Sequence, residues 1–407
     1  MQRKDSMDLV TSYQYLAPST RIYGGVNALQ QLPREAKRIG AKRAFVISSH
    51  TVARNTDLVA RVLEVLGDLY CGTYDGATRE SPIPVVMAGV EAVKAAQPDV
   101  IVAVGGGSAV VTARAVTILV GEGKSVEEMY TKHIPGQAAV VYRANRFKIP
   151  NILVLTTPTT AADRGGAAVW DEQPPHRKEL YDPKTRPLCT ILDGKALLTA
   201  PLSLYLDTSL TTFTGTVHAL QSPALNPFQL ADLRQAFELA MAYLPQLVTR
   251  PDDPHVRLQL CATALLVNRA SQSTYGWGGP HPHAAALGRQ LRYRYEHIGQ
   301  GAAAAVMLAT EMRRGRKAAL EGQARLAEIM CVSRDGMLPE DAAEAATQAL
   351  EGLLRSIGVA TRLRDLGVQE AVLEAIAAAG LAEPGFGEQP HDPVQVEELV
   401  SILRQAW

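Results

Sequence analysis

The stretch VAVGGGSAVVTARAV, residues 102–116, decides the fold class of this chain. An apolar run leads into Gly105, Gly106, Gly107 and Ser108, and a helix-like segment follows. Glycines let an anionic group approach the backbone, and the N–H groups and dipole of the next helix hold its charge. Because ligands of parallel sheets bind beyond the carboxyl ends of the strands, the turn predicts a nucleotide-phosphate site. A tight structural turn is the alternative, since neither common glycine fingerprint is matched.

Strand-like and helix-like segments alternate on both sides of this turn. The runs 43–49 (RAFVISS) and 151–160 (NILVLTTPTT) are apolar, which is typical of strands buried on both faces. The segments 55–68 and 82–97 are predicted helices. This order is typical of crossover units on a parallel sheet, so residues 1–200 are predicted to form a Rossmann-like α/β dinucleotide domain.

The second half of the chain has a different character. From about residue 205 long Ala- and Leu-rich segments such as 227–248 and 339–358 take over, without strand-like alternation. Residues 201–407 are therefore predicted to form an all-helical substrate and catalytic domain. The segment 187–204 is interpreted as the crossing between the two domains.

Composition excludes several classes of partner. Lys+Arg and Asp+Glu both number 41, so the formal net charge is zero, which argues against a nucleic-acid binder. No apolar run is long enough to cross a bilayer, and the first residues, MQRKDSMDLV, lack the apolar core of a signal peptide. The four cysteines are far apart, so neither a disulfide framework nor a thiolate metal site is indicated. A cytoplasmic protein with no nucleic-acid or membrane partner is expected.

Four segments together carry a resemblance to a known family. They are STRIYGGVNALQQLPREAKRIGAKRAFVISS (19–49), AVGGGSAVVTARAV (103–116), TTPTTAADRGG (156–166), and GVATRLRDLGV with ILRQAW near the end. In this order and spacing they resemble the iron-containing alcohol dehydrogenase superfamily, and within it the maleylacetate reductases. The resemblance spans nearly the whole chain. It implies a homodimer that binds NADH or NADPH and a small-molecule substrate in a cleft between the two domains.

The same resemblance implies nine cofactor-binding residues. The pyrophosphate would be held by Gly105, Gly106, Gly107 and Ser108, the nicotinamide would lie along Thr159 and Thr160, and the adenosine ribose would lie near Ser48, Ser49 and His50. No carboxylate follows the strand that ends at Ser48–Ser49, so nothing there repels a 2′-phosphate and NADPH is not excluded.

The metal site of the family is altered in this chain. Metal-dependent members bind iron or zinc through one aspartate and three histidines, two of these ligands lying in the motif G-x-D-A-x-x-H. Anchored on Gly215, the stretch TGTVHALQS places Val217 at the aspartate position and Gln221 at the histidine position. Valine cannot ligate, and a neutral amide is a poor ligand for a divalent transition metal. A shifted frame makes His218 a ligand without restoring the pair.

Two further family histidines fall within GGPHPHAAALGRQLRYRYEHIGQ. His297 matches the second, and the first is His281 if Gly288 is the anchor or His283 if the spacing to His297 is kept. Because a catalytic metal normally needs three protein ligands, no tightly bound metal is expected.

The resemblance also implies chemistry without a metal. Maleylacetate reductases reduce a carbon–carbon double bond conjugated to a carbonyl in this way. A histidine replaces the Lewis acid there by hydrogen-bonding or protonating the developing enolate. The catalytic candidates are His283, His297, His281 and His218.

The loop PTTAADRGG departs from the family, which has a Ser-Glu pair at this point. Arg164 is interpreted either as a surface residue, as a partner of Asp163, or as a bidentate clamp for a substrate carboxylate. Gln221 and Lys178 are the other candidates for substrate binding.

Three functions remain open from the sequence. The first is a metal-independent NAD(P)H-dependent oxidoreductase that reduces a small enone acid, ketone or aldehyde. The second is a relative that keeps the fold but performs a non-redox cyclisation or elimination in a specialised biosynthetic pathway, which the altered loop and metal site favour. The third is a catalytically silent ligand-binding protein. Fold-level analogy does not choose the substrate.

Overall fold

The computed structural model describes residues 13, 15, 17, 19–134, 137–173, 176–271, 284–381 and 393–407, apart from the side chains of 284–285 and 393–395. Contacts divide the chain into two compact units. The sheet unit comprises 18–205 and 250–265, and the helical unit comprises 206–249 and 266–407 with the residues before 18. The sequence-based boundary between residues 200 and 201 stays a prediction.

Six parallel strands form the main sheet of the sheet unit. The strands of this unit are β1 (Arg21–Gly25), β2 (Ala44–Ser48), β3 (Tyr70–Tyr74), β4 (Val100–Gly105), β5 (Asn151–Leu155), β6 (Gly166–Trp170), β7 (Arg177–Tyr181) and β8 (Cys189–Asp193). The sheet order is β1-β8-β5-β4-β2-β3, and every neighbouring pair is parallel. The strands β6 and β7 form a separate antiparallel hairpin.

Helices surround the sheet and make up the second unit. They are α1 (Leu32–Arg38), α2 (His50–Asn55), α3 (Leu58–Leu66), α4 (Ile83–Ala96), α5 (Gly107–Glu122), α6 (Val126–Met129), α7 (Gly194–Leu197), α8 (Leu202–Leu220), α9 (Pro227–Thr249), α10 (Pro254–Ala270), α11 (Ala284–Arg294), α12 (Gln300–Ile329), α13 (Pro339–Ser356), α14 (Leu373–Leu381) and α15 (Pro393–Ala406). Short 3-10 helices cover Ala28–Gln31, Gly67–Leu69, Pro183–Thr185, Leu363–Leu366 and Glu370–Val372.

The sheet forms because its central strands are apolar on both faces. Every residue of β2, β4, β5 and β8 is buried, and their side chains pack in one core with those of α1 and α3. The predicted parallel-sheet domain is therefore confirmed. The segment 187–204, interpreted as the crossing between the two domains, contains β8, a buried strand between β5 and β1, and its interpretation as the crossing stays a prediction.

Strand order places a switch point beside the glycine turn. From β2 the chain passes through α2 and α3 to β3 on one side, whereas β4 lies on the other side of β2 and leads to β5. Ser48 at the end of β2 is in register with Val104 of β4. Open parallel sheets bind ligands at such a reversal, beyond the carboxyl ends of the strands. The fold therefore places the ends of β2 and β4 where a nucleotide is expected.

The helical unit has its own apolar core. Side chains of α11, α12, α14 and α15 meet there, and they include Leu287, Leu291, Val306, Met307, Ile376, Leu399 and Leu403. The predicted all-helical second part is confirmed for the described residues, which contain no strand after β8. No helix in the described ranges combines the length and apolar character that spanning a bilayer requires.

Candidate functional site

The glycine turn is tightly packed against the loop that follows β5. Gly105 has φ +144°, a conformation that L side chains rarely adopt. A Cβ on Gly106 would lie 2.9 Å from Oγ1 of Thr157, and one on Gly107 would lie 3.1 Å from Oγ1 of Thr159. Glycine is therefore required at the first position by conformation and favoured at the next two by space.

The same turn begins a 16-residue helix, α5. Gly106 is the N-cap residue in extended conformation, and Ser108 is the second residue of the helix. Oγ1 of the buried Thr157 has no hydrogen-bond partner among the described residues. The first N–H groups of a helix also lack intrahelical acceptors. A cradle bounded by glycine, an unused hydroxyl and a helix N-terminus fits the pyrophosphate of a dinucleotide.

The end of β2 carries the three residues predicted near the adenosine ribose. Ser48 is fully buried, and its hydroxyl donates to the carbonyl oxygen of Val104 at 2.8 Å. The hydroxyl of Ser49 accepts a hydrogen bond from the backbone N–H of Val52 and caps α2. His50 is exposed, and its Nδ1 lies 2.8 Å from Oδ2 of Asp75, which follows β3. The sequence did not indicate this carboxylate, because it comes from a neighbouring strand.

Asp75 is already paired with two basic groups. Burial raises the pKa of its carboxyl, but His50 and Arg54 outweigh that effect and lower the pKa overall. Nε of Arg54 lies 3.4 Å from the same Oδ2. The carboxylate at this edge of the sheet is therefore ionised and compensated.

The loop after β5 holds the predicted nicotinamide-side residues. Thr159 is buried, and its Oγ1 accepts a hydrogen bond from the N–H of Ala161 at 3.1 Å. The carbonyl oxygen of Thr160 accepts from Nε of Arg164 at 2.5 Å. Asp163 has Arg186 as its ion-pair partner, with 3.6 Å between Oδ1 and the nearer guanidinium nitrogen. Arg164 is thus anchored to the threonine segment.

Lys178 occupies a buried ion-pair site on β7. Its ammonium contacts Asp171 at 2.6 Å and also Glu127, and it lies over the ring of Tyr130. These contacts account for its burial, and a role in substrate binding stays a prediction.

In the helical unit, His218 of α8 meets a carboxylate that the sequence reasoning missed. Nε2 of His218 lies 3.3 Å from Oε2 of Glu311 on α12. The two side chains are 19% and 5% exposed. Burial raises the pKa of Glu311, and His218 offsets only part of that rise. The pair therefore holds a proton more tightly than an exposed carboxylate would.

Val217 and Gln221, which stand at two of the family's ligand positions, have structural roles. Val217 is fully buried. The amide of Gln221 donates from Nε2 to the carbonyl oxygen of Val217 at 3.1 Å, and its Oε1 accepts from Nε2 of Gln323 at 3.0 Å. Both ends of the Gln221 amide are engaged inside the helical unit. A role for Gln221 in substrate binding stays a prediction.

Of the other three candidate histidines, the structure describes only His297. His297 is exposed on the turn between α11 and α12, and its Nε2 lies 3.0 Å from the carbonyl oxygen of Leu366. His281 and His283 lie outside the described residues. The catalytic roles of all three stay predictions.

A sequence signal for the missed residues exists in retrospect. Glu311 and Arg114 are the first charged residues after long uncharged helical runs, 301–310 and 107–113. Met307 and Leu308, four and three residues before Glu311, are buried, which puts Glu311 on the same helix face. A single charge on an apolar face needs a buried partner.

Comparison with known proteins agrees with this geometry. The family model for iron-containing alcohol dehydrogenase matches residues 19–194, and the model for the C-terminal part of the Fe-containing alcohol dehydrogenase family matches 205–407. The chain belongs to the iron-containing alcohol dehydrogenase family. Oxidoreductase chemistry follows from this membership, and NAD(H) binding is supported by it.

Three relatives show the range of the family near this chain. Lactaldehyde reductase of Escherichia coli K12 is 26% identical over 386 residues, which cover 94% of this chain and 97% of the relative. Maleylacetate reductase 1 of Cupriavidus pinatubonensis is 26% identical over 258 residues, covering 62% of this chain and 63% of the relative. The crystal structure of a 1,3-propanediol oxidoreductase has a TM-score of 0.84 at 24% identity and covers 97% of this chain and 100% of that one. The predicted family resemblance is confirmed, with a maleylacetate reductase among the relatives.

The metal that gives the family its name does not fit the described donor set. Val217 offers no donor atom, the amide of Gln221 is engaged at both ends, and Nε2 of His297 is directed at a backbone carbonyl. Within the described ranges, no three histidine, cysteine or acidic side chains are grouped as a metal site requires.

Proposed function

We propose that this protein is a metal-independent, NAD(P)H-dependent reductase of a small aldehyde, ketone or enone acid. Reduction of a carbonyl forms one C–H bond with a hydride and one O–H bond with a proton, and leaves the nicotinamide oxidised. Reduction of a conjugated double bond adds the hydride to carbon and protonates the resulting enolate. The single observation that carries the proposal is the buried His218–Glu311 pair, which lies beside positions where the family's ligands are replaced by Val217 and Gln221.

The sheet unit supplies the cofactor half of this proposal. Backbone N–H groups of Gly106, Gly107 and Ser108 would hold the pyrophosphate, and Thr157 would add its hydroxyl, which has no partner in the described part of the chain. Reduced nicotinamide supplies the hydride when bound. The tight contacts of the turn with the loop after β5 keep these groups in place before the cofactor arrives, which lowers the entropic cost of binding.

We also propose that NADPH is accepted as well as NADH. Ser49 and His50 follow β2 where a carboxylate would repel a 2′-phosphate, and the nearest acid, Asp75, is compensated by His50 and Arg54. The carboxylate at the end of β3 is therefore balanced by a neighbouring guanidinium and leaves no net negative charge to repel an added phosphate.

The helical unit supplies the proton in this proposal. His218 is mostly buried and its partner Glu311 is almost wholly buried, so the charge of either one is poorly solvated without the other. A histidine held by a carboxylate is suited to give up a proton to a developing oxyanion or enolate near neutral pH. Glu311 would act as the positioning residue, and His218 as the acid.

The test begins with cofactor binding. The purified, metal-analysed protein is titrated with NADH and NADPH while the nucleotide fluorescence is followed, and a panel of aldehydes and enone acids is then offered. The proposal predicts binding of at least one nucleotide and its oxidation one for one with product. Substrate turnover with no change in the absorbance of reduced nicotinamide would favour the non-redox alternative. Binding with neither reaction would favour a silent ligand-binding protein.

A homodimer in the cytoplasm completes the proposal. The edge strand β1 carries two exposed aliphatic side chains in or next to it, Ile22 (50%) and Val26 (60%), as expected of a surface that pairs with another chain. The four cysteines are all free thiols, which suits a reducing compartment. Light scattering after size-exclusion chromatography tests the dimer.

A further inference from the structure

Three arginines converge on the loop that follows the threonine segment, residues 160–166, which we call the arginine loop. Nε of Arg164 donates a hydrogen bond to the carbonyl oxygen of Thr160. A terminal guanidinium nitrogen of Arg186 donates to the carbonyl oxygen of Asp163, at a distance of 3.2 Å. Arg114 of α5 donates to the carbonyl oxygens at 161, 162 and 166, at 2.7, 3.0 and 2.9 Å. The loop is thus built around guanidinium groups that come from three different parts of the sheet unit.

The arginine loop has fewer negative than positive charges. Asp163 is 7% exposed and interacts electrostatically with all three arginines. Burial, followed by repulsion from Arg164, lowers the pKa of Arg114 to about 9, and burial and Arg186 likewise lower the pKa of Arg164. Burial raises the pKa of Asp163 although three cations surround it. One carboxylate therefore does not balance the cluster, and an added anion would relieve the repulsion.

Several N–H groups of these arginines also have no acceptor among the described residues. Nε of Arg114, which is 3% exposed, and Nε of Arg186 have no acceptor among the described residues. Arg164 uses its Nε for the loop, and its two terminal nitrogens make no hydrogen bond or ion pair with any described residue. Two parallel N–H groups on one guanidinium match the two oxygens of a carboxylate.

The position of Arg164 relates these N–H groups to the cofactor half of the proposed function. Its Nε is bonded to Thr160, and the neighbouring Thr159 lies against Gly107 of the glycine turn. An anion held by Arg164 would therefore lie near the segment predicted to flank the nicotinamide.

We propose that Arg164, supported by Arg186, binds a carboxylate of the substrate, so that the enzyme reduces aldehyde acids or enone acids in preference to neutral carbonyl compounds. This inference rests on the proposed reductase function for its catalytic readout. The competing explanation is that the three arginines only hold the loop carbonyls, in which case charge on the substrate makes no difference.

The experiment compares Arg164→Gln and Arg164→Lys with the wild type. The substrates are an aldehyde acid and the neutral aldehyde of the same chain length. Arg164→Gln is expected to raise KM for the acid about 10- to 100-fold, as loss of a charge-assisted hydrogen-bond pair requires, and to leave the neutral aldehyde within about threefold. Arg164→Lys should recover only part of the loss, because an ammonium cannot form the fork. The matched control is Arg177→Gln, which removes an exposed cation paired with Glu179.

A second measurement separates failure of this inference from failure of the proposed function. Binding of an inert dicarboxylate to the cofactor-saturated protein is measured by calorimetry for the wild type and Arg164→Gln. Loss of that binding in the variant supports the site even if no nicotinamide is ever oxidised. Equal reduction of acid and neutral aldehyde by all variants, or equal binding of the dicarboxylate, overturns the site and leaves the reductase proposal standing.

Discussion

Replacing Glu311 by glutamine tests how the helical unit handles a proton. The substitution keeps size and hydrogen-bonding capacity but removes the charge 3.3 Å from Nε2 of His218. At that distance and an effective dielectric of about 20, two unit charges attract by about 5 kcal/mol. Desolvation cancels much of this, since the pKa of Glu311 stays raised despite His218. The net contribution of the charge pair is therefore smaller than this attraction.

The expected result is a displaced pH profile. Burial raises the pKa of the Glu311 carboxyl, and the substitution removes that titrating group from beside His218. The kcat profile of Glu311→Gln should therefore differ from that of the wild type above the pH at which Glu311 ionises, and the two proteins should converge in acid. His218→Gln should lose about 100- to 10,000-fold in kcat over the whole range.

The assay is nicotinamide oxidation followed from pH 5 to about 10 at saturating substrate. Asp232→Asn is the matched control, because Asp232 is a buried carboxylate of the same unit whose partners are Arg269 and Tyr15. It should leave the profile in place. A Glu311→Gln profile that superposes on that of the wild type, with equal kcat, would refute the assignment of His218 and Glu311 as a proton-handling pair.

Further predictions concern the turn and the buried charges of the sheet unit. Gly106→Ala should lower cofactor affinity at least about tenfold in a fluorescence titration. The free energy of unfolding should fall by only about 1 kcal/mol, because Oγ1 of Thr157 has no hydrogen bond with any described residue to lose when it moves away. Equal cofactor affinity would contradict the cradle. Lys148→Met should lower the free energy of unfolding in urea by about 3–5 kcal/mol, because it removes the cation that lies 2.5 Å from the buried carboxylate of Glu122 and 3.0 Å from that of Asp182. A decrease of less than about 1 kcal/mol would contradict this expectation. Burial opposes ionisation of Glu122, but Lys148 and neighbouring donors lower its pKa from 4.5 to about 2, so its stabilising contribution is complete above pH 4.5 and is lost as the pH falls toward 2. Unfolding midpoints that do not fall over this window would contradict the assignment.

The strands that the sequence predicted are those with long apolar runs. Strands β2, β4 and β5 are buried on both faces, so hydrophobicity alone marks them. The edge strand β1, RIYGG, is largely exposed and ends in two glycines, so it has no such run. The five residues of β8, CTILD, include Thr190 and Asp193, and the stretch is flanked by Pro187 and Gly194, so it resembles a connection in the sequence.

The candidate site was predictable where one short segment contains it. The glycine turn and the threonine pair lie on local motifs, and the structure packs Gly107 against Thr159 as a shared site requires. The pairing of His218 with Glu311 depends on how α8 packs on α12, 93 positions apart, and no local pattern encodes it. Ser48 lies at the end of β2, and its hydroxyl is used inside the sheet, which the sequence did not indicate.

Reduction by nicotinamide without a metal can be tested in a single measurement. Protein treated with a strong chelator, and shown by elemental analysis to contain no stoichiometric iron or zinc, is assayed for oxidation of NADH and NADPH with an aldehyde acid. We expect one molecule of reduced nicotinamide to be oxidised for each molecule of product, at the same rate before and after chelation. Activity that disappears on chelation and returns when iron or zinc is added back would contradict it.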